Sequence, residues 1–288
     1  MHQFSKVHFI LLLGLAGVAA CGEGGTGPDD DSTMSELDAD VAPVVNGQWY
    51  RPAADVRWQW QLDGPINTAY DVEMFDIDLF ETPADVIAAL HGRGIRVLCY
   101  FSAGTHENGR PDAAAIPASA IGAQLEDWPN ERWLDIRKAA VFAVMVGRLD
   151  LASSRGCDGV EPDNVDGFIN ATGFPLTSTD QLAFNRNPAN AAHERGLTVA
   201  LKNDGDQAAQ LVAYYDLELN EECFYYDECD QLGPFLTAGK PVLNVEYANN
   251  AAAAGQLRGT VCSAATARGM RTLILPWDLD DSFREACF

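Results

Sequence analysis

Short apolar runs alternate with helical segments along most of this 288-residue chain, and that alternation leaves few folds open. Four of the runs follow a helical segment that closes on a basic residue and a glycine, a combination that commonly stops a helix. The alternation predicts a parallel α/β protein. Eight strands favour a single (β/α)8 barrel, the TIM barrel, over an open sheet. The expected strands are residues 57–62, 72–78, 95–102, 159–163, 197–203, 217–221, 241–247 and 272–277.

The stretch Gly156–Asp166 starts like a buried strand and ends in carboxylates. With the two-residue period of a strand, Glu161 and Asp163 face the same side. Asn164 and Asp166 follow directly. This set predicts the lip of an active site, and the alternative is an acidic turn that caps the next helix.

Most of the other expected strands also end in polar or aromatic side chains. In an α/β barrel the carboxyl ends of the strands meet at one mouth, where active sites lie. Together these ends predict an acid-rich and aromatic cleft, although a single acid among them could instead cap a helix. The candidate cleft residues on the other strands are Asp76, Asp78, Tyr100, Lys202, Asn203, Glu221, Glu246, Tyr247 and Trp277.

The N-terminal segment is expected to lie outside the folded body. Residues 1–20 have the basic start, apolar run and small-residue end of a signal peptide, which predicts export. The residues before Cys21 resemble a bacterial lipobox, so we expect a membrane-anchored lipoprotein, in the outer membrane if the cell is Gram-negative. Ordinary cleavage and secretion is the alternative. Acidic residues 21–45 predict a disordered linker, and residues 46–288 a single domain, expected to be monomeric.

The charge of the chain limits its partners. It carries 42 acidic residues against 19 Lys and Arg, a formal net charge of −23. A surface of this sign repels nucleic acid and attracts cationic ligands or metal ions. We therefore expect no nucleic-acid partner.

Six cysteines besides Cys21 fit an exported protein with disulfides, which predicts a disulfide-stapled body. Six cysteines allow fifteen pairings, and the sequence does not decide among them. A zinc site is the alternative, but no CxxC or HxxxH spacing supports it, so no metal site is expected. The preferred pairs are Cys99–Cys157, Cys223–Cys229 and Cys262–Cys287.

Several familiar catalytic motifs are absent from the sequence. It contains no Gly-x-Ser-x-Gly, no Gly-x-Gly-x-x-Gly and no P-loop, and we expect no cofactor. What remains is the chemistry of carboxylates beside aromatic platforms, for which Trp60 is a further candidate. Glycoside hydrolysis uses that set, with two acids flanking the scissile bond and aromatic rings against the sugar faces.

Ordered motifs between Trp58 and Trp277 carry a family resemblance. They are Val97–Gly104, Trp133–Arg137, Gly156–Gly167, Gly196–Asn203, Asn220–Cys223 and Gly239–Tyr247. These motifs resemble glycoside hydrolase family 114, the endo-α-1,4-polygalactosaminidases, which have a (β/α)8 fold. Glu161 departs from the pattern, because the family more often has Asp there.

The resemblance implies a catalytic pair, Asp163 at the end of strand four and Glu221 at the end of strand six. Asp163 is expected to be the nucleophile and Glu221 the acid/base in a retaining mechanism, with the reverse assignment still open. The residues alone indicate Asp163 but do not separate Glu221 from Glu222 or Glu246.

The implied substrate is a cationic or partly N-acetylated amino-sugar polysaccharide, which an acidic cleft would attract. Lys202 is expected to pair with a catalytic carboxylate or to orient one. Two other functions remain open: a non-catalytic carbohydrate-binding lipoprotein, and a glycosidase of other specificity, including a divalent-metal-dependent one.

Overall fold

The computed structural model describes residues 37–288. Three expected features lie outside the described residues: the signal peptide, the acylation of Cys21 and most of the linker. Within residues 37–288, no helix is both long and apolar enough to cross a membrane.

The described residues form twelve strands and seven α-helices, with short 3-10 turns between them. The strands are β1 (Trp58–Trp60), β2 (Met74–Asp78), β3 (Arg96–Ser102), β4 (Thr105–Glu107), β5 (Ile121–Gln124), β6 (Glu131–Leu134), β7 (Gly159–Asp163), β8 (Thr198–Lys202), β9 (Leu217–Glu221), β10 (Val242–Ala248), β11 (Arg271–Pro276) and β12 (Glu285–Ala286). The helices are α1 (Ala84–Gly92), α2 (Ala139–Arg155), α3 (Ser178–Glu194), α4 (Ala208–Leu211), α5 (Cys223–Tyr226), α6 (Gly233–Thr237) and α7 (Ala251–Arg268).

The glycines expected to stop helices do so in the structure. Gly94, Gly156, Gly196 and Gly269 all have positive φ, between 73° and 85°, directly before a parallel strand. Glycine adopts this left-handed conformation without steric cost, so each one ends its helix and turns the chain back toward the sheet.

Eight parallel strands form one curled sheet in the order β1-β2-β3-β7-β8-β9-β10-β11. These are the eight strands expected from the sequence. A closed barrel would pair β11 with β1. Instead, β12 pairs antiparallel with β11, and no backbone ladder joins β11 to β1 among the described residues. Side chains bridge that gap instead: Trp58 Nε1 donates to the Arg271 carbonyl at 2.8 Å, and Arg284 Nη2 to the Trp58 carbonyl at 2.9 Å.

Alternate residues of the parallel strands belong to two apolar clusters. Inside the curve of the sheet, residues such as Met74, Leu98 and Leu219 pack together with Trp58 and Trp60. The intervening residues pack against the helices in a larger cluster. This alternation decides which polar residues at the strand ends can face the mouth.

Residues 38–45 run along α3 and are hydrogen-bonded to it. The side-chain amide of Asn190 in α3 binds two backbone groups of this segment: it accepts from Val44 N at 2.8 Å and donates to the Ala42 carbonyl at 2.9 Å. Asn187 Nδ2 also donates to the Asp38 carbonyl at 3.0 Å.

Three disulfides join the pairs that the sequence analysis preferred: Cys99–Cys157, Cys223–Cys229 and Cys262–Cys287. The first links neighbouring parts of the sheet, the second closes a six-residue separation just after β9, and the third ties α7 to the chain end after β12.

Candidate active site

Three successive strands deliver the charged residues of the site. Strands β7, β8 and β9 end in Asp163, Lys202 and Glu221. Each strand is followed at once by a non-glycine residue with positive φ: Asn164 at 60°, Asn203 at 52° and Glu222 at 59°. Non-glycine residues with positive φ are uncommon, because this backbone conformation costs energy and persists only where the surrounding structure enforces it. They cluster at functional sites.

The left-handed residue after Asp163 binds back to the carboxylate that precedes it. Asn164 N donates to Asp163 Oδ1 at 2.7 Å, and Asn164 Nδ2 donates to Ser102 Oγ at 3.0 Å. The unusual backbone therefore supplies an N–H donor to the carboxylate and fixes its rotamer.

Lys202 lies between the two acids of the expected catalytic pair. Its Nζ is 3.0 Å from Asp163 Oδ1, 3.2 Å from Glu221 Oε2 and 3.1 Å from Glu161 Oε1. Lys202 is only 2% exposed, and its Nζ also lies 4.9 Å from the centre of the Trp60 ring. Burial opposes the charged form, but the three carboxyl groups outweigh it and raise the pKa of Lys202 well above its ordinary value.

Two tyrosines donate to the same carboxylates. Tyr100 Oη donates to Asp163 Oδ2 at 3.2 Å, and Tyr247 Oη donates to Glu221 Oε1. Burial and the neighbouring carboxylates raise the pKa of both phenols well above the ordinary value, so both remain protonated donors.

Glu221 is fixed further by the residue after Lys202. Asn203 Nδ2 donates to Glu221 Oε2 at 3.1 Å, and Asn203 Oδ1 accepts from Glu221 N at 2.9 Å. Each carboxylate thus has its own tyrosine and asparagine, and the two share one ammonium.

These groups open into a cleft of about 660 Å³ at the carboxyl ends of the strands. Trp277 is 47% exposed on its wall and packs edge-on against Tyr247, with ring centres 4.8 Å apart. On the wall beside Asp163, burial and the charge of Asp163 raise the pKa of Asp166 to about 6. The cleft therefore combines an aromatic wall with an acidic one.

Most of the expected site residues line this cleft. They are Trp60, Asp78, Tyr100, Asp163, Asn164, Asp166, Lys202, Asn203, Glu221, Tyr247 and Trp277. Asp78 forms an ion pair with Arg110, whose Nη2 lies 2.7 Å from Asp78 Oδ2.

Three residues expected to touch substrate do not reach the cleft. Asp76 and Glu161 have no exposed surface, because each lies two residues before the strand end, inside the barrel. Glu246 is 2% exposed and on the outward face of β10, where its Oε1 accepts from Phe224 N at 3.0 Å.

The sequence analysis missed Arg110, Trp128 and Tyr226, all of which line the cleft. Arg110 is in the loop after β4, Trp128 is in the turn between β5 and β6, and Tyr226 ends α5. No periodic pattern predicts that these three residues line the cleft. The sequence shows only that each is an aromatic or basic residue outside the parallel strands.

Two hydrogen-bonded carboxylates beside an aromatic wall, at the carboxyl ends of a curled parallel sheet, define the class of barrel-type glycoside hydrolases. The family model described as glycoside-hydrolase family GH114 matches residues 39–287, and the chain belongs to this family. The protein is therefore a glycoside hydrolase.

Known proteins resemble the whole body of the chain. The crystal structure of Aspergillus fumigatus Ega3 in complex with galactosamine is 39% identical, with a TM-score of 0.79 over 84% of this chain and 99% of that one. The glycoside hydrolase domain of PelA from Pseudomonas aeruginosa shares the fold at 13% identity, with a TM-score of 0.63 over 78% of this chain and 96% of that domain. An uncharacterized protein of Deinococcus radiodurans is 26% identical over 283 residues, covering 84% of this chain and 89% of that one.

Proposed function

We propose that this enzyme hydrolyses α-1,4-linked galactosamine or N-acetylgalactosamine polysaccharide, with Asp163 as nucleophile and Glu221 as acid/base. The observation that carries the proposal is the shared contact of both carboxylates with Lys202 at the mouth of the cleft. The 39% identity to Ega3, a protein solved with galactosamine, supports the choice of sugar.

The charge of the cleft fits a cationic amino sugar. Asp166, Asp206 and Glu228 line it together with the catalytic acids, and the whole chain has a net charge of −23. A wall of this sign concentrates a polymer with free ammonium groups and orients them away from Lys202. N-acetylated sugars would bind through the aromatic wall instead.

The spacing of the two acids supports a retaining mechanism. Asp163 Oδ1 and Glu221 Oε2 both contact one nitrogen, so they are at most about 6 Å apart, the sum of those two contact distances. Retaining enzymes place their carboxyl groups roughly 5–5.5 Å apart, whereas inverting enzymes need roughly 6.5–9.5 Å to admit a water molecule.

In the first step, an oxygen of Asp163 attacks the anomeric carbon and forms an ester with the sugar. The glycosidic bond breaks, and Glu221 gives its proton to the departing oxygen. In the second step, Glu221 takes a proton from a water molecule, which attacks the anomeric carbon and releases Asp163 as a carboxylate. The charges and protons of both carboxyl groups are then restored.

The two acids accept the same kinds of hydrogen bond, and their exposure differs. Asp163 accepts from Asn164 N, Tyr100 and Lys202, and Glu221 accepts from Asn203, Tyr247 and Lys202. The Glu221 side chain is 28% exposed against 18% for Asp163, so Glu221 is the more accessible to water in the second step.

The test is hydrolysis of defined α-1,4-galactosamine oligomers, free and N-acetylated, by the purified protein and by Asp163→Asn and Glu221→Gln. We expect each variant to lose at least roughly 10³-fold in kcat while the melting temperature changes little. The matched control is Asp230→Asn, which makes the same chemical change on the surface and should stay active.

A fully active Asp163→Asn enzyme would exclude the assigned nucleophile. Tight binding without products from the wild-type protein would favour the carbohydrate-binding function. Loss of activity with a chelator would favour a metal-dependent glycosidase.

We also propose that the enzyme is exported and anchored through an acylated Cys21. The lipobox-like residues before Cys21 motivate this, and three disulfides suit an oxidising compartment. Expression of the full chain and of Cys21→Ala, followed by separation of membranes from soluble protein, tests it. Equal membrane association of the two proteins would contradict the anchor.

A further inference from the structure

Two carboxyl groups lie inside the barrel beneath the catalytic pair, out of reach of substrate. Asp76 and Glu161 both have no exposed surface. Each lies two residues before a residue of the mouth, which places it roughly 6–7 Å deeper at roughly 3.3 Å per residue. Such interior positions are usually filled by branched apolar side chains. Substrate contact therefore does not explain why acids stand there.

Neither buried carboxyl group has a full set of donors among the described residues. Both oxygens of Asp76 lack a hydrogen-bond partner, and neither oxygen of Glu161 accepts a well-aligned hydrogen bond. Lys202 Nζ forms an ion pair with Glu161 Oε1 at 3.1 Å, and the Asp76 carboxyl lies within hydrogen-bonding reach of Glu161. A proton held between the two carboxyl groups would give each of them a partner.

The charges that face this pair come from four other strands. Lys202 is on β8, Glu221 on β9, Tyr100 on β3 and Tyr247 on β10, and β7 itself also carries Asp163. Burial raises the pKa of Asp76 to about 7 and the pKa of Glu161 well above its ordinary value. Lys202 opposes both shifts, whereas Asp163 adds to both and Asp76 adds to that of Glu161. One ammonium thus faces four carboxyl groups, which cannot all be ionised together.

We propose that Asp76 and Glu161 share a proton and, through the Glu161–Lys202 ion pair, hold the Lys202 ammonium between Asp163 and Glu221. They are positioning residues, since they act on the reaction only through Lys202. This inference rests on the proposed assignment of Asp163 and Glu221 as the catalytic pair.

The protonation state of the Asp76–Glu161 pair changes which carboxyl groups attract the Lys202 ammonium most strongly. With one proton on the pair, a single negative charge lies below Lys202, and the two catalytic acids above it hold the ammonium. When the pair loses that proton, a second negative charge below Lys202 competes for the ammonium. Asp76→Asn imitates the protonated pair, because the neutral asparagine amide donates to Glu161 and leaves one negative charge below Lys202 at every pH.

The variants to compare are Asp76→Asn, Glu161→Gln and Glu161→Asp. We expect Asp76→Asn to keep about the wild-type kcat below pH 7 and to be about tenfold faster than the wild type above pH 7, where the wild-type pair gains its second charge, with little change in KM. Glu161→Gln removes the ion pair and should lose about 10²-fold at every pH. Glu161→Asp keeps a carboxyl group and should recover most of the rate with the wild-type pH dependence.

The matched control is Glu218→Gln, which removes an equally buried acid from the outward face of β9. Its kcat should follow the wild-type pH profile. A wild-type to Asp76→Asn rate ratio that is the same at all pH values would indicate a merely structural role and overturn the proposal.

Infrared spectroscopy tests the shared proton without any substrate. Glu131 and Glu222 also have pKa values raised to about 7 by burial, so the spectra are compared by subtraction. We expect the wild type minus Asp76→Asn difference to contain a protonated-carboxyl band that disappears near pH 7, and the wild type minus Glu218→Gln difference to lack a band that titrates there. A wild type minus Asp76→Asn difference without that band would overturn the proposal. If the wild-type protein cleaves no galactosamine oligomer, the proposed substrate fails, whereas the infrared result still decides whether the pair holds a proton.

Discussion

Two groups of buried acids lie on opposite faces of the same sheet, and only one of them has a cation. Inside the curve, Asp76 and Glu161 lie beneath Lys202. On the outward face of β9, Glu218 has no exposed surface. Asp204, in the turn after β8 at the edge of the cleft, is 4% exposed, and neither of these two acids forms an ion pair with any described residue.

The same burial therefore has different consequences on the two faces. Burial and the neighbouring Asp204 raise the pKa of Glu218 well above its ordinary value, so it folds as a neutral group. The pair inside the barrel retains one charge, because Lys202 compensates for it. In the positioning role proposed above the inner acids act on Lys202, whereas the outer ones reduce stability at neutral pH.

The largest effect should follow from removing the compensating cation. Lys202→Met leaves Glu161, Asp163 and Glu221 without their common partner. We expect a loss of roughly 3–5 kcal/mol in the free energy of unfolding, as for other broken buried ion pairs, and at least roughly 10²–10³-fold in kcat. Urea unfolding and the oligomer assay measure the two effects.

Lys138→Met, at the start of α2, is the control and should change neither quantity much. The double variant Lys202→Met with Glu161→Gln should recover part of the stability without recovering activity, because one uncompensated carboxylate is gone. Wild-type stability in Lys202→Met alone would contradict the idea that the inner acids need this cation.

A smaller effect, of opposite sign, is expected on the outer face. Burial, followed by the charge of Asp166, raises the pKa of Asp204 to about 9. The folded protein therefore holds a proton that the unfolded chain releases above its ordinary pKa of roughly 3.9. The stability of the wild type is then complete below about pH 4 and is lost progressively as the pH rises toward 9.

Asp204→Asn removes this dependence while keeping the acceptor for Asn185, and asparagine tolerates the positive φ of 46° at this position. We expect the variant to be more stable than the wild type by about 2–4 kcal/mol at pH 7 and nearly equal at pH 4. Melting temperatures at both pH values measure this. A gain of the same size at both would show that charge is not the cause.

The sequence predicted the strands and placed Asp163 and Glu221 at their carboxyl ends, but it did not predict the division between the two faces. Strands β7 and β9 begin and end where expected: Gly159 and Pro162 mark the ends of β7, and the alternation of apolar and polar residues marks β9. Asp76 and Asp78 share a face by the two-residue period, but that period carries no information on depth. Glu246 and Tyr247 are adjacent, so only one can face the mouth, and the register with the neighbouring strands selects Tyr247.

Other features depend on contacts between distant parts of the chain. The docking of residues 38–45 requires the Asn190 amide, which is about 150 residues away and gives no local signal. The edge of β11 is covered by β12, which has two residues and is too short for any periodic pattern. Arg110 and Trp128 are placed by the small sheet β4-β6-β5, whose irregular pairing the sequence does not reveal.

The smallest effect should come from an acid that has a cation but no burial. Asp230 pairs with Arg268 at 2.6 Å, yet their side chains are 90% and 41% exposed. Water and salt screen such a pair, so Asp230→Asn should change the free energy of unfolding by less than about 1 kcal/mol, and less still at high salt. A large loss in urea unfolding would contradict this. With Lys202→Met and Asp204→Asn it separates the two causes: a carboxylate's effect on stability depends on burial, and the sign of that effect depends on whether a cation is buried with it.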